Sequence, residues 1–349
     1  MRIADLGEFG LIDLLRRGAP VGESVRVPIG DDAAVVAAPT GRDLLLTCDL
    51  LLEGAHFRKE WYAAQPGDLG RKALGVNISD IAAKAGRPLY CLITLGAEDG
   101  TDVDFVRGIY DGLYDLAGKW GISVVGGDTV RTEAGLLLDV ALIGETTTGH
   151  VPLRRDAQPG DLIAVTGQFG LARAGLFVLE LASGVPAAAV GASDGASGQM
   201  IEVAKQGQLV PPVRLREAWA LGRADVHAMS DTSDGLADQV HHICRASGVG
   251  AIVEESLVPV HPATRAVAEW AGVPAADWAI WGGEDYELMV TLPPRGLQEA
   301  SDAVAACGVT ALTVVGVVTT EPEVKLKRQD GSVGLLRFGG YEHFAPRDR

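Results

Sequence analysis

Aspartates recur in this chain beside glycines and at the ends of apolar runs. They stand in Gly30-Asp31-Asp32, Thr47-Cys48-Asp49, Asn77-Ile78-Ser79-Asp80, Gly126-Gly127-Asp128-Thr129 and Asp231-Thr232-Ser233-Asp234-Gly235. An Asp beside a Gly ordinarily marks a turn and nothing more. Three positions go further. Asp49 interrupts an apolar strand-like run, where an unpaired charge is costly. Asp80 lies in GVNISDIAA, three residues after Asn77 and so on the same helical face; its plain alternative is a surface ion pair with Lys84. Gly126-Gly127-Asp128 follows the strand-like ISVV, where paired glycines let backbone approach a ligand closely. Carboxylates gathered in one cleft repel one another unless cations neutralise them. Oxygen ligands without a His/Cys cluster select Mg2+ over zinc, and Mg2+ binds through a few carboxylates plus substrate phosphates. The pattern therefore implies a polyphosphate partner.

The elements that must position these groups can be read from periodicity. Residues 43–52, 89–95 and 136–144 are dense in apolar residues and predict strands. Between the first two, Pro66-Gly67 opens a helix, Asp68 is placed to cap it, and Gly86 with Pro88 closes it. A second helix is predicted over 102–119. The polar stretch 146–161, with two prolines and two arginines, divides the chain into units 1–148 and 149–349. The second unit carries strands near 161–166, 251–258, 286–292, 312–318 and 323–328. The Ala/Gly/Ser-rich stretch 183–199 predicts a mobile loop. This alternation implies an α/β or α+β architecture without choosing between them.

Composition bounds the partners. The 349 residues carry 30 Lys+Arg against 46 Asp+Glu, a net charge of -16, which argues against a nucleic-acid surface. A hydrophobic content of 47% is ample for sizeable cores and excludes a largely disordered chain. Four scattered cysteines without a CxxC pair read as free thiols in a reducing compartment. The first residues lack the basic-then-apolar order of a signal peptide, and no uncharged apolar run approaches a membrane span. The expectation is a soluble cytoplasmic protein with no membrane partner. Phosphate handling must use another device than a P-loop, since Gly118-Lys119 is followed by Trp120 and no GxxxxGK[ST] occurs.

Assembled in order, the motifs resemble the thiamine-monophosphate kinases. These belong to the superfamily of aminoimidazole ribonucleotide synthetase, selenophosphate synthetase and the hydrogenase-maturation dehydratase. The resemblance runs nearly end to end: GEFGLI at 7–12, IGDDAAVV at 29–36, TCDLLLEGAHF at 47–57, KALGVNISDIAAKAGRP at 72–88, GGDTVR at 126–131, LRRDAQPGD at 153–161, SDTSDGLADQVHHI at 230–243, GGEDYEL at 282–288 and GGYEHF at 339–344. GGDT and SDGL are shared across the superfamily. EGAHF, GGEDYEL and the terminal GYEHF point to the thiamine-phosphate branch.

The resemblance implies a two-domain aminoimidazole ribonucleotide synthetase-like α/β (α+β) fold. It implies transfer of the γ-phosphoryl group of ATP onto thiamine monophosphate with several Mg2+ ions, and a homodimer paired through N-terminal domains. It places Asp32, Thr47, Cys48, Asp49, Asp80, Asp128, Asp231 and Asp234 on the metals. Gly127, Asp128, Arg154 and Ser233 map to the nucleotide, with Arg155 the competing arginine, and His56, Glu284 and Tyr341 to the thiamine-phosphate pocket. Cys48 stands where the family usually has Thr, which is tolerable if the ligand is the backbone carbonyl. No general base is implied, because the acceptor is already a phosphate anion. Two other functions use the same motifs: another ATP-using superfamily member of the aminoimidazole ribonucleotide synthetase type, and a non-catalytic Mg2+–nucleotide binder. A selenophosphate synthetase is disfavoured, since the first cysteine is Cys48 inside a strand.

Overall fold

The computed structural model describes residues 25–27, 31–32, 34–37, 41–149, 151–184 and 196–339. Among these residues, thirteen strands form two sheets. The first contains β1 (Val25–Val27), β2 (Ala34–Ala37), β3 (Arg42–Leu52), β4 (Arg87–Ala97), β5 (Ser123–Arg131) and β6 (Leu137–Thr147). Their order is β1-β2-β3-β6-β4-β5, antiparallel except for the β4–β5 pair. The second contains β7 (Leu162–Thr166), β8 (Ala228–Asp231), β9 (Gly250–Glu254), β10 (Leu288–Leu292), β11 (Leu312–Thr319), β12 (Val324–Lys327) and β13 (Val333–Leu335), in the order β13-β12-β9-β11-β7-β10-β8. The two sheets are joined through residues 148–161, which include a short 3-10 turn at Arg154–Asp156. The mixed α/β architecture agrees with the sequence reading.

Helices α1 (Pro66–Ala82) and α2 (Val103–Trp120) cover the first sheet. They touch backbone to backbone. A Cβ on Gly70 would lie 1.9 Å from the Ile109 carbonyl oxygen, and one on Gly112 1.9 Å from that of Gly67. The second unit carries α3 (Leu171–Ala182), α4 (Gly198–Leu209), α5 (Leu215–Leu221), α6 (Leu236–Ser247), α7 (Pro262–Ala271), α8 (Ala275–Trp281) and α9 (Leu297–Ala305). A continuous apolar core joins Leu69, Leu74 and Ile78 of α1 to Leu288 and Val290 of β10. Helix α1 is therefore buried on nearly every face, as expected for a helix wedged between two layers.

Three readings need correction. Asp68 does not cap α1; Gln65 is the N-cap residue, Pro66 begins the helix, and Asp68 pairs with Arg71 at 3.0 Å in the first turn. The helix ends at Ala82, and Ala85 then turns the chain with φ +50°. Gly126-Gly127-Asp128 is not a turn but the middle of β5. A Cβ at Gly127 would lie 1.8 Å from the Ile93 carbonyl oxygen, so the close approach of β4 itself requires glycine here. Of the segment 183–199, residues 185–195 lie outside the described residues. Its flanks are helix ends, with Ser183 accepting a hydrogen bond from the Trp61 indole at 3.0 Å and Ser197 capping α4.

Candidate active site

Strand alternation decides which groups of β3 can meet α1. Leu45, Thr47 and Asp49 share the face turned toward the helix, with Leu45 fully buried there. The Thr47 hydroxyl donates to the Asp80 carboxylate. The Asp49 amide donates to Asn77 Oδ1 at 3.0 Å, while Asn77 Nδ2 donates to the Ala73 carbonyl at 3.0 Å. The shared face of Asn77 and Asp80 thus serves to grip β3. Cys48 points to the opposite face, where its thiol lies 3.0 Å from Asp139. The same alternation that brings Asp49 inward keeps the Cys48 side chain away from the acidic groups, which leaves only its backbone carbonyl for that site.

The second sheet supplies the other half. β8 ends at Asp231, whose Oδ2 accepts from the Ser79 hydroxyl of α1 at 2.7 Å. Ser230 lies within 3.0–3.1 Å of Asp32 and 3.0 Å of Gln239 Oε1. Asp32, Asp80 and Asp231 each present one carboxylate oxygen, and the three oxygens lie within 4.8 Å of one another. Asp49 joins them through Asp80. Burial, then the charge on Asp231, pushes the Asp49 carboxyl up to about 6. Burial, followed by the Asp49 and Asp231 charges, carries Asp80 well above the ordinary range. Burial also raises Asp231, against the opposing pull of Ser79, Arg154 and Lys84.

Two cations stand on one side of this cluster. Arg154 donates from Nη2 to Asp32, from Nε to Ser230 at 3.1 Å, and from its amide to Asp31 at 3.3 Å. The Lys84 ammonium, fully buried, lies 2.5 Å from Asp31 and 3.0 Å from Asp32. Arg155 is exposed on the same 3-10 turn, so of the two candidate arginines Arg154 is the one that enters the cluster. Two like charges within 4.8 Å repel by at least about 3 kcal/mol at an effective dielectric of about 20. That exceeds the ~1 kcal/mol net gain of a hydrogen bond, so hydrogen bonds alone do not offset the repulsion among ionised Asp32, Asp80 and Asp231. Asp231 Oδ1 is buried and makes no hydrogen bond. A buried lone pair without a donor, amid oxygen ligands and no His or Cys side chain, fits a hard divalent cation such as Mg2+.

The segment after α8 closes over this site. Glu284 and Tyr286 both have positive φ, +57° and +49°, uncommon for residues with side chains. Hydrogen bonds to 232–233 hold them there: the Glu284 amide donates to Ser233 O, and the Thr232 amide donates to Glu287 O at 2.9 Å. The two motifs SDTSDG and GGEDYEL are thereby joined, consistent with Asp231 facing Leu288 across β8 and β10. Burial raises the Tyr286 phenol well above 10, helped by the charges of Glu284, Asp49, Asp231 and Asp234. Tyr286 is therefore buried within reach of the charges of both the acidic cluster and Glu284.

The Glu284 carboxylate is held by groups that sequence reasoning missed. Lys72 of α1, buried, places its ammonium 3.0 Å from Glu284 Oε1 and donates to the Gln208 carbonyl at 3.1 Å. The Gln208 side-chain amide donates to Glu284 Oε2. Lys72 and Lys84 both lie inside the KALGVNISDIAAKAGRP motif; Lys84 is buried and pairs with Asp31 and Asp32 rather than forming a surface ion pair with Asp80. His56 sits in the turn after β3, its Nδ1 accepting from the Leu52 amide at 3.0 Å. Asp128 is exposed on β5, accepting from the Thr129 amide at 2.8 Å; it is not one of the three carboxylates whose oxygens lie within 4.8 Å of one another. Ser233 and Asp234 directly follow the Asp231-Thr232 pair, and Asp234 is near enough to act electrostatically on Arg154. Tyr341 lies outside the described residues.

Comparison with known proteins fits this arrangement. Residues 30–146 match the family model of the AIR synthase related protein N-terminal domain, and residues 158–329 match that of the C-terminal domain. Two such domains meeting at an acidic cluster define an AIR synthase-related protein. The thiamine-monophosphate kinase of Bacillus subtilis (strain 168) is 32% identical over 342 residues, covering 97% of this chain and 100% of the relative. That of Escherichia coli (strain K12) is 33% identical over 343 residues, covering 97% and 98%. The solved structure "AaThiL complexed with AMPPCP and TMP" superposes with a TM-score of 0.82 at 29% identity, covering 98% of this chain and 99% of that one. The chain belongs to the thiamine-monophosphate kinase family.

Proposed function

We propose that this protein transfers the γ-phosphoryl group of ATP to the phosphate of thiamine monophosphate, giving thiamine diphosphate and ADP. The observation that carries the reading is the joining of two groups at one place. The cluster of Asp32, Asp80 and Asp231 adjoins the strained 283–287 segment that sets Glu284. Membership of the kinase family supports it, as does a structural relative whose printed name records AMPPCP and TMP bound together.

Asp32, Asp49, Asp80, Asp231 and Asp234, with the Thr47 and Cys48 backbone, would hold Mg2+, and Asp128 would join from β5. Bound there, Mg2+ supplies charge neutralisation between two polyanions and a template for in-line attack. The chain's own work is positioning. Arg154 stands at the junction of the two sheets with its guanidinium on the cluster, placed to meet a nucleotide phosphate beside Gly127 and Ser233. Glu284, pinned by Lys72 and Gln208 yet partly exposed, presents its remaining lone pairs toward the cationic thiazolium. His56 and Tyr341 complete that pocket. The acceptor phosphate is already anionic, so no side chain is needed as a general base.

The homodimer is part of the same reading. Leu46 and Leu50 of β3, Tyr90 and Leu92 of β4 and Val125 of β5 are exposed on the first sheet, opposite the face covered by α1 and α2. Such a patch on a sheet suits pairing with a second copy. Among the described residues no helix is long and apolar enough to cross a membrane, and all four cysteines are free. Both support a cytoplasmic reaction. The test is incubation of the purified protein with ATP, Mg2+ and thiamine monophosphate. Thiamine diphosphate should accumulate. ATP hydrolysis without it would favour an aminoimidazole ribonucleotide synthetase-like activity, and binding without turnover a nucleotide sensor.

A further inference from the structure

Among the described residues, Lys84 is the most deeply buried charge that the proposed reaction leaves unused. Its side chain has no exposed surface. The ammonium sits in a cage of four oxygens: Asp31 Oδ1 at 2.5 Å, Asp32 Oδ2 at 3.0 Å, the Met229 carbonyl at 3.1 Å and the Pro152 carbonyl at 3.4 Å. These oxygens come from three separate parts of the chain: the turn before β2, the connection between the sheets, and β8. Lys84 itself reaches them from just beyond the end of α1. A lysine is almost never buried completely unless paired, and two carbonyls beside two carboxylates form a site for a compact cation rather than a simple ion pair.

We propose that Lys84 is a tethered cation. Its ammonium occupies an oxygen cage that a free ion of ammonium size would otherwise fill, and it fixes Asp32 toward the cluster from which Asp80 and Asp231 face it. Lys84 is a positioning residue, acting through Asp32 and touching neither substrate. Replacing it with Ala removes the charge and opens space for a free ion. Replacing it with Met removes the charge and fills the space.

The test compares wild type, Lys84→Ala and Lys84→Met in 100 mM ammonium chloride and in 100 mM choline chloride, whose cation is too large for the cage. Melting is measured on metal-free protein, and turnover is measured with Mg2+, ATP and thiamine monophosphate. The inference rests on the proposed kinase reading only for turnover; an inactive wild type would refute that reading and leave the melting comparison to decide this one. In choline, Lys84→Ala should turn over about 100-fold more slowly than wild type. Ammonium should raise its melting midpoint by about 3 °C or more and recover at least ~10-fold in kcat, by filling the site. Wild type should melt alike in the two salts, its own turnover in each salt being the reference for the recovery of Lys84→Ala, and Lys84→Met should stay impaired in both. A Lys84→Ala protein indifferent to ammonium, or unable to fold in either salt, overturns the inference. So does a Lys84→Met protein that matches wild type.

Discussion

Asp49→Asn should make the metal-free protein more stable while disabling it. The Asp49 carboxyl, ordinarily near 3.8, is pushed to about 6 by burial and by Asp231. Its folded-state value lies above the unfolded one. The associated stability is therefore fully present below about pH 3.8 and is lost as pH rises through about 6. The gap of about two pH units, at ~1.4 kcal/mol each, amounts to about 3 kcal/mol. Because Asp80 and Asp231 share the repulsion, removing one charge should return about 1–3 kcal/mol. That corresponds to a rise of roughly 1–4 °C in the melting midpoint at pH 8 without divalent cations. Near pH 4.5 the advantage should shrink to about a third. The amide cannot supply the carboxylate charge needed to hold Mg2+, so kcat should fall at least ~100-fold at saturating Mg2+. Denaturant and thermal melts in EDTA, paired with steady-state kinetics, measure both effects. A variant that is less stable than wild type at pH 8, or that turns over within about threefold of it, refutes the reasoning.

Glu284→Gln and Lys72→Met should each raise KM for thiamine monophosphate by about 10-fold or more, leaving KM for ATP unchanged, because Lys72 acts by holding the Glu284 carboxylate. A rise in KM for ATP instead would misplace the pocket. Leu92→Arg, on the uncovered sheet face, should shift sedimentation from dimer to monomer; an unchanged dimer would locate the interface elsewhere. Asp285 is buried and accepts from the Gly170 and Ala172 amides at 2.8 and 3.3 Å, with its carboxyl raised to about 7, chiefly by burial. Its stability contribution is present below about pH 3.8 and lost as pH rises through about 7, so Asp285→Asn should flatten the fall in melting midpoint between pH 5 and 7. Parallel curves for the two proteins would contradict that.

The parts of this fold that are legible in sequence are those with a strong period of their own. The runs at 43–52, 89–95 and 136–144 all form strands, at Arg42–Leu52, Arg87–Ala97 and Leu137–Thr147. β8 escaped because four residues, all buried, offer neither alternation nor length, although the strand delivers Asp231 to the site. Asp49 and Asp80 stood out because each places a charge in apolar surroundings. Lys72 in α1 and Lys84 just beyond its end did not, because a lysine at such positions is expected to reach solvent. Only the packing of α1 between two sheets, set by contacts as distant in sequence as Ser79 to Asp231, turns them inward. Cys48 shows the limit from the other side. Its place beside Asp49 was legible, but its orientation away from the cluster followed only once the face of β3 turned toward α1 was fixed.

Phosphate should pass from ATP to thiamine monophosphate at this cluster. Purified protein given γ-32P-labelled ATP, Mg2+ and thiamine monophosphate should place the label in the terminal phosphate of thiamine diphosphate, in amounts matching the ADP formed. Label appearing as inorganic phosphate, with thiamine monophosphate left unchanged, would contradict the account.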